Sequence, residues 1–305
     1  MQTPNTSERL KVTLLATRPW SFSMTAISVT LGNIIGLSAA PFYWGRYLLL
    51  VAGMILVHAA TNVVNDYFDF RHGVDVEGAP TTLYRRHPLV EKELSPGYLL
   101  GLSAACYAAA ALIGLYFVLT TGWIVALFAV LGGLTSLFYT ADPIAYKYRG
   151  MGEVAVFLMW GPLMMLACHY IQTGGWSQGL SVLLVSIPQG LWVALVLLAN
   201  NLKDIEFDSQ SQVNTVGTLL GRTAAVKVYI VLVAGIYGVT LLEIVFGVLP
   251  IWGGLTLFSL PLIYKLIVRF QRDPAIPPDA DPQTAQTGML YGMLLVAAVL
   301  MARFL

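Results

Sequence analysis

Apolar residues gather in nine runs, at roughly 14–38, 45–65, 97–119, 122–139, 151–172, 179–201, 223–246, 250–270 and 285–304, separated by short polar segments. Each run approaches the length of about 20 residues that an α-helix needs to cross a bilayer, so the pattern predicts nine transmembrane helices. The polar segments alternate in character. The N-terminus and the segments near 66–96, 140–150, 202–222 and 265–284 fall on one side, and short links such as "LTTG", "QTGGWSQ" and "FGVLP" fall on the other. No polar segment is long enough to fold separately, so residues 1–305 read as a single all-α, polytopic integral-membrane domain. The first run, from about Pro19 to Ala40, is too long for a signal-peptide core and has no A-x-A cleavage site, so it is expected to remain as a helix.

Composition agrees with the pattern. Apolar residues make up 57% of the 305 residues and charged residues 11%, well outside the average for soluble globular domains. No nucleic-acid partner is expected; membrane lipid is. Cys106 and Cys168 both lie inside apolar runs, where a thiol acts as a small hydrophobe and says little about compartment. Charge sets the orientation. Of 17 Lys and Arg, only Arg46 and Arg303 fall outside the first side, which the positive-inside rule makes cytoplasmic. All the acids except Glu243 share that side, and since acids carry little topological weight, their crowding needs another cause.

Two stretches supply it. "NVVNDYFDFRHGVD", residues 62–75, ends the second run, and "NNLKDIEFD", residues 200–208, ends the sixth. Both contain Asn-x-x-x-Asp, Asn62 to Asp66 and Asn200 to Asp204, followed three or four residues later by Asp69 and Asp208. At 3.6 residues per turn, Asn62, Asp66 and Asp69 share one helical face, and Asn200, Asp204 and Asp208 line up in the same way. An arbitrary Asp at a membrane border is usually only solvated, but solvation does not repeat this spacing at the ends of two separate spans. Asp75 continues the first stretch, whereas Glu77, Glu91 and Glu93 have no such pairing and read as solvated residues.

Two carboxylates roughly 5 Å apart repel by about 3 kcal/mol at an effective dielectric near 20, so four facing one another call for cations. Mg²⁺ is the natural one, because it takes oxygen ligands and is commonly shared between carboxylates and substrate phosphates. Asp66, Asp69, Asp204 and Asp208 are the candidate ligands.

Asn65-Asp66-x-x-Asp69 with Asp75 following, and Asn200-Asn201-x-x-Asp204-x-x-x-Asp208, resemble the two aspartate-rich motifs of the UbiA superfamily of intramembrane prenyltransferases. "YTADPIAYKYRGMGEVAVFLMWGP", residues 139–162, is similar to the connector between the family's fourth and fifth helices, and "TRPWSF", near Thr17, to its first-helix start. "NDYFDFRHGVD" and "KYRGMGE" are most similar to the 1,4-dihydroxy-2-naphthoate polyprenyltransferase branch of menaquinone synthesis.

The resemblance implies nine helices around a central cavity that opens toward lipid, with a polyprenyl diphosphate held through Mg²⁺ at the two motifs. It also implies a prokaryotic inner membrane with the active site on its cytoplasmic side. Ionising an allylic diphosphate leaves a carbocation and a leaving group with roughly three negative charges, which metal and cationic side chains must stabilise. Four aspartates and two Mg²⁺ cancel, leaving the diphosphate to Lys203, Arg71, Lys147, Arg149 and Arg222. Tyr139, ending the fourth span, is either an interfacial anchor or a ring facing the allylic cation. His58 lies one turn before Asn62 on the same face and is a cavity candidate. Arg18 or Arg149 is placed to take an acceptor carboxylate through a bidentate contact. Glu153 either complements a helix dipole or orients Lys147 or Arg149, and His169 with Cys168 reads as packing.

The segment after Asp208, "SQSQVNTVGTLLGR", keeps Thr215 but lacks the Asp-Arg-x-x-Gly-Lys-Arg-Thr pattern of many relatives, which shifts diphosphate binding toward Lys203 and Arg222. The leading expectation is therefore an Mg²⁺-dependent transfer of a polyprenyl group to an aromatic acceptor. A terpene cyclase, or a transferase to a 4-hydroxybenzoate-like or glycerophosphate-lipid acceptor, is the alternative within the same chemistry. A cation transporter is the alternative of another class, but it would favour acids near mid-bilayer on broken helices rather than at one border.

Overall fold

The computed structural model describes residues 6–35 and 41–304. Helices dominate: α1 Thr6–Ala16, α2 Phe22–Ile34, α3 Trp44–Arg71, α4 Pro80–Tyr84, α5 Pro96–Thr121, α6 Ile124–Leu137, α7 Gly152–Leu158, α8 Met164–Thr173, α9 Gly179–Lys203, α10 Ile205–Gln210, α11 Val216–Leu220, α12 Arg222–Val245, α13 Leu260–Arg272 and α14 Ala280–Phe304. A π turn, Met159–Leu163, joins α7 to α8, and a 3-10 run, Ile251–Ser259, precedes α13. No strand occurs among the described residues, which hold only an isolated bridge between Arg149 and Asn214. Helix is what lipid demands, since an apolar segment must satisfy its own backbone polar groups there.

Seven helical stretches are long and apolar enough to span a membrane, and α6, with 14 residues, is apolar but shorter. The nine predicted spans thus each contain helix, with nine an approximate count. The run at 14–38 departs furthest from expectation. It breaks at Thr17–Arg18, with Arg18 left-handed at φ 53° and Pro19 opening a 3-10 turn before α2. Proline has no N–H to continue a helix and pushes the residue before it out of the α region. Positions 36–40, the predicted end of that span, lie outside the described residues.

α9 is the central rod, packed on α2, α7, α12 and α14. Trp192, Tyr229 and Tyr291 are its largest fully buried neighbours or members. Hydroxyl pairs tie the surrounding helices, Tyr229 to Thr284 at 2.7 Å and Tyr237 to Ser259 at 2.6 Å, as expected where no water competes. The end of α7 and the π turn cross α9 closely: a Cβ on Gly161 would sit 2.6 Å from the Ser186 carbonyl oxygen, and one on Gly190 would sit 2.6 Å from that of Phe157. Only glycine fits there. His169 and Cys168 are buried as expected for packing, with His169 Nε2 2.5 Å from the Ser177 carbonyl oxygen.

Element length positions the acidic residues. α3 has 28 residues, about 42 Å at 1.5 Å each, against a hydrocarbon core of about 30 Å. Its last turns, carrying Asp66 and Asp69, therefore project to the border of the apolar slab. In the second motif the helix is not continuous. α9 ends at Lys203, and Asp204, at φ −98° and ψ 11°, joins it to α10. Asp204 N–H still donates to Asn200 O at 3.1 Å and Asp208 N–H to Asp204 O at 2.9 Å, so helical spacing persists across the joint.

Candidate active site

Asp66 is fully buried and grips two guanidinium groups. Arg85 Nη1 and Nη2 donate to its two oxygens at 2.9 Å and 2.6 Å, and Arg18 Nη2 donates to Oδ1 at 2.6 Å. Arg18 arrives from the left-handed break before α2, and Arg85 from the residue that ends α4. Asp75 lies beside them, its Oδ2 3.1 Å from His87 Nε2. Burial alone would push the Asp75 carboxyl up, but His87, Lys147 and Arg18 outweigh it and hold it below the usual carboxylate range.

Asp69 takes a second set of donors. Lys147 Nζ reaches Oδ2 at 2.6 Å, the Tyr148 hydroxyl reaches Oδ1 at 2.5 Å, and Asn65 donates from one turn back in α3. Lys147 and Tyr148 sit on a short 3-10 turn, Tyr146–Tyr148, entered through left-handed Ala145. Burial and then the Asp69 charge push the Tyr148 hydroxyl above its ordinary range, so it remains a donor.

The second motif is different in kind. Among the described residues no cation pairs with Asp204 or Asp208. Burial, only partly opposed by Lys203, pushes Asp204 up to about 6. Burial again, opposed by Lys147 and reinforced by Asp204, Asp69 and Glu153, pushes Asp208 up to about 7. The two motifs share one end of the bundle: the loop whose Lys147 and Tyr148 hold Asp69 pairs its backbone with Asn214, six residues past Asp208. Lys203 turns instead to Asp281 at 2.8 Å, touches Asn200 Oδ1 at 3.3 Å, and lies 5.2 Å over the Tyr84 ring. Asn201 donates to Glu153 at 2.9 Å. Glu153 stands in the first turn of α7, but its side chain joins α7 to α9 and to the Val216 amide, and pairs with neither Lys147 nor Arg149.

This donor set suits a hard divalent cation. All four aspartates offer oxygen only, and the half-buried pair without counter-charge is the arrangement that a cation would relieve. Asp66 and Asp69 already carry nitrogen donors, which a metal would have to share or displace.

Other predicted residues fall elsewhere. Arg71 is exposed, its guanidinium 6.0 Å from the centre of the Phe68 ring. Arg149 is exposed and donates to the Pro143 carbonyl oxygen at 3.0 Å. Arg222 donates to the carbonyls of Asp273, at 2.8 Å, and Pro274, tying α12 to the loop after α13. These three are not brought to the carboxylates. Asn62 donates to the Thr17 carbonyl oxygen at 2.9 Å, satisfying the broken end of α1. Tyr139 is half-buried and edge-on to Tyr146 at 5.5 Å. Glu93 pairs with exposed Arg86 at 2.8 Å. Arg85, His87, Tyr148 and Asp281 escaped the sequence reading.

Beneath the carboxylates lies an apolar cavity of about 470 Å³ between α3, α5, α6 and the α7–α8 rod. Gly53, Met54, Ala110, Gly114 and Gly133 form part of its wall, and His58, Thr61 and Tyr107 are its polar members. His58 bonds to Thr25 at 2.8 Å and Ser21 at 3.2 Å and lies edge-on to Trp160 at 4.9 Å. Leu115 and Val130, which line it too, are 53% and 55% exposed, so the cavity opens through the side of the bundle.

Comparison with known proteins bears on family and fold. The profile described as the UbiA prenyltransferase family matches residues 25–280. The "UbiA prenyltransferase domain-containing protein 1 homolog" of Drosophila melanogaster is 30% identical over 304 residues, covering 97% of this chain and 81% of that protein. The 1,4-dihydroxy-2-naphthoate octaprenyltransferase of Bacillus subtilis is 28% identical over 294 residues, covering 94% and 92%. Among solved structures, a UbiA homolog from Aeropyrum pernix K1 superposes with TM-score 0.71 at 15% identity, over 93% of this chain and 98% of that one. A UbiA homolog from Archaeoglobus fulgidus bound to GPP and Mg²⁺ gives TM-score 0.57 at 15% identity, over 93% and 99%.

Proposed function

The chain belongs to the UbiA prenyltransferase family, and from that membership we propose that it transfers a polyprenyl group from its diphosphate, with Mg²⁺, to 1,4-dihydroxy-2-naphthoate. The observation that carries the proposal is an acidic cluster at the end of α3 standing above a lipid-open apolar cavity that the same helix lines at His58 and Thr61, little more than a turn before Asp66. Polar head and apolar tail of one substrate each have a matching environment. The Bacillus subtilis relative, named for this acceptor and matched over nearly its whole length, supports the choice of acceptor.

In this reading the allylic C–O bond breaks with its electrons leaving on pyrophosphate. A nucleophilic ring carbon then bonds to the allylic carbon, and the ring loses CO₂ from that position. When bound at Asp66, Asp69, Asp204 and Asp208, Mg²⁺ supplies charge stabilisation to the departing anion. Lys147, held by Asp69, and Arg18 and Arg85, held by Asp66, bring three cations to the same place. Tyr148 offers its proton as a hydrogen-bond donor. The half-buried Tyr139 ring, whose residue accepts the backbone N–H of Lys147 at 2.9 Å, is available to the allylic cation through its π-face. Burial keeps water from the cation, and the electron-rich acceptor needs little beyond placement. Arg18 is the better of the two acceptor-carboxylate candidates, because Arg149 is turned to Pro143.

The test is product mass after incubation of the purified chain with a prenyl diphosphate, Mg²⁺ and either dihydroxynaphthoate, 4-hydroxybenzoate or no acceptor. Prenylated, decarboxylated naphthoquinol is expected. A cyclised hydrocarbon without acceptor, or prenylation of 4-hydroxybenzoate alone, would replace the acceptor assignment while keeping the ionisation chemistry.

A further inference from the structure

His87 is fully buried in the loop between α4 and α5, and its ring is fixed from several directions. Nδ1 accepts the backbone N–H groups of Leu89 and Val90, each at 3.3 Å. The turn holding it closes on itself: His87 N–H donates to Glu91 Oε1 at 3.2 Å, and Glu91 N–H donates to His87 O at 3.1 Å. Phe70 lies nearly parallel to the imidazole, 6.5 Å away at 21°. A ring nitrogen that accepts two amide hydrogens carries no proton, so the neutral ring bears its proton on Nε2. That nitrogen lies 3.1 Å from Asp75 Oδ2 in an approach too bent for a well-formed hydrogen bond, and neither atom has a hydrogen-bond partner among the described residues, so the two buried polar atoms are left to each other.

Ligand atoms of Asp66, Asp75 and His87 lie within 4.8 Å of one another, a spacing that three metal ligands would also show. The tautomer argues against it. An imidazole that ligates through Nε2 keeps its proton on Nδ1 and donates it outward, the reverse of what the Leu89 and Val90 amides impose.

We propose that His87 is a positioning residue, a neutral N–H donor that fixes one oxygen of Asp75 and leaves the other for the diphosphate pocket. The proposal rests on the prenyl-diphosphate reading above. One loop then organises two acids, Arg85 orienting Asp66 and, two residues on, His87 orienting Asp75.

Two measurements on the full chain in detergent test it. In ¹⁵N-histidine protein, with His87→Ala used to assign the signal, two-bond ¹⁵N–¹H correlation should show His87 with Nε2 protonated and Nδ1 bare. Protonation at Nδ1, or at both nitrogens, overturns the proposal whatever the variants do. Calorimetric binding of inorganic pyrophosphate with Mg²⁺ supplies the second readout. His87→Gln retains a donor near Nε2, whereas His87→Asn retains only an acceptor near Nδ1. Gln should bind within about threefold of the parent and Asn and Ala should bind about tenfold or more weaker, the loss expected for a hydrogen bond to a charged group. Parent-like binding by His87→Ala overturns the positioning role alone. Absence of pyrophosphate binding by the parent chain overturns the functional reading, and the proposal with it.

Discussion

Arg85 meets Asp66 in a two-point fork, at 2.9 Å and 2.6 Å, with both side chains nearly or fully out of contact with solvent. A buried carboxylate stripped of such a partner is costly, commonly by about 3–5 kcal/mol. Arg18 remains on Asp66, so Arg85→Ala should fall at the lower end, about 3 kcal/mol, and Arg85→Lys should recover part of it because charge returns without the fork. Asp66→Asn should destabilise as well, by leaving two guanidinium groups facing a neutral amide. Adding Arg85→Ala to Asp66→Asn should then cost less than the sum of the single changes, which a double-mutant cycle of thermal unfolding measures. Strict additivity would mean that the fork contributes nothing.

Asp204 and Asp208 make a pH prediction with a definite sign. Their carboxyls sit at about 6 and about 7 against an ordinary 3.8. Raised acids favour the folded state while protonated; that contribution is complete below the ordinary value and is lost as pH climbs through about 7. Metal-free protein should therefore melt at a lower temperature at pH 8 than at pH 5.5, and Asp208→Asn should narrow the difference. Mg²⁺ takes the ionised form, so its apparent affinity should rise about 100-fold over the same interval as two protons cease to compete. Calorimetric Mg²⁺ titration at both pH values checks the slope, and a flat profile rules out these residues as ligands.

Gly133 lines the cavity, and a Cβ built there meets nothing within 4 Å. Gly133→Leu should leave folding intact and fill space that a long tail would use. Transfer from long polyprenyl diphosphates should fall about tenfold relative to transfer from dimethylallyl diphosphate, the size of effect expected for one or two methylenes of apolar contact. Equal loss for both would move the tail elsewhere.

Ser95 and Ser177 are exposed at opposite ends of the helical rods. In a Cys106→Ala background, single cysteines at these positions should react with an impermeant maleimide from opposite faces of a sealed vesicle, Ser95→Cys from the side rich in Lys and Arg. Reaction of both from one face would refute the topology.

What the sequence revealed of the site follows from range. Asn62, Asp66 and Asp69 are one helical turn apart, so the 3.6-residue period was enough to align them. Arg85 is 19 residues from Asp66, and the two meet only because α4 turns the loop back. No spacing rule reaches across such a loop. Arg222 misled for the opposite reason: near the second motif in sequence, it starts a separate helix and faces Asp273 and Pro274. The break at Arg18 was legible in "TRPW", since proline stops the helix, yet hydropathy averaged over it and drew one continuous span.

The lateral mouth of the cavity sets the kind of encounter by which a prenyl donor arrives. Leu115 and Val130 stand at that mouth facing the acyl chains, not the water. Capture there is diffusion in two dimensions, and the governing quantity is the mole fraction of donor in the bilayer, not its molarity in the tube. Diluting proteoliposomes with buffer should leave the rate per enzyme unchanged, whereas adding inert phospholipid at constant total donor should lower it. A product retaining the same tail would remain in that plane, available to the next membrane enzyme without crossing water.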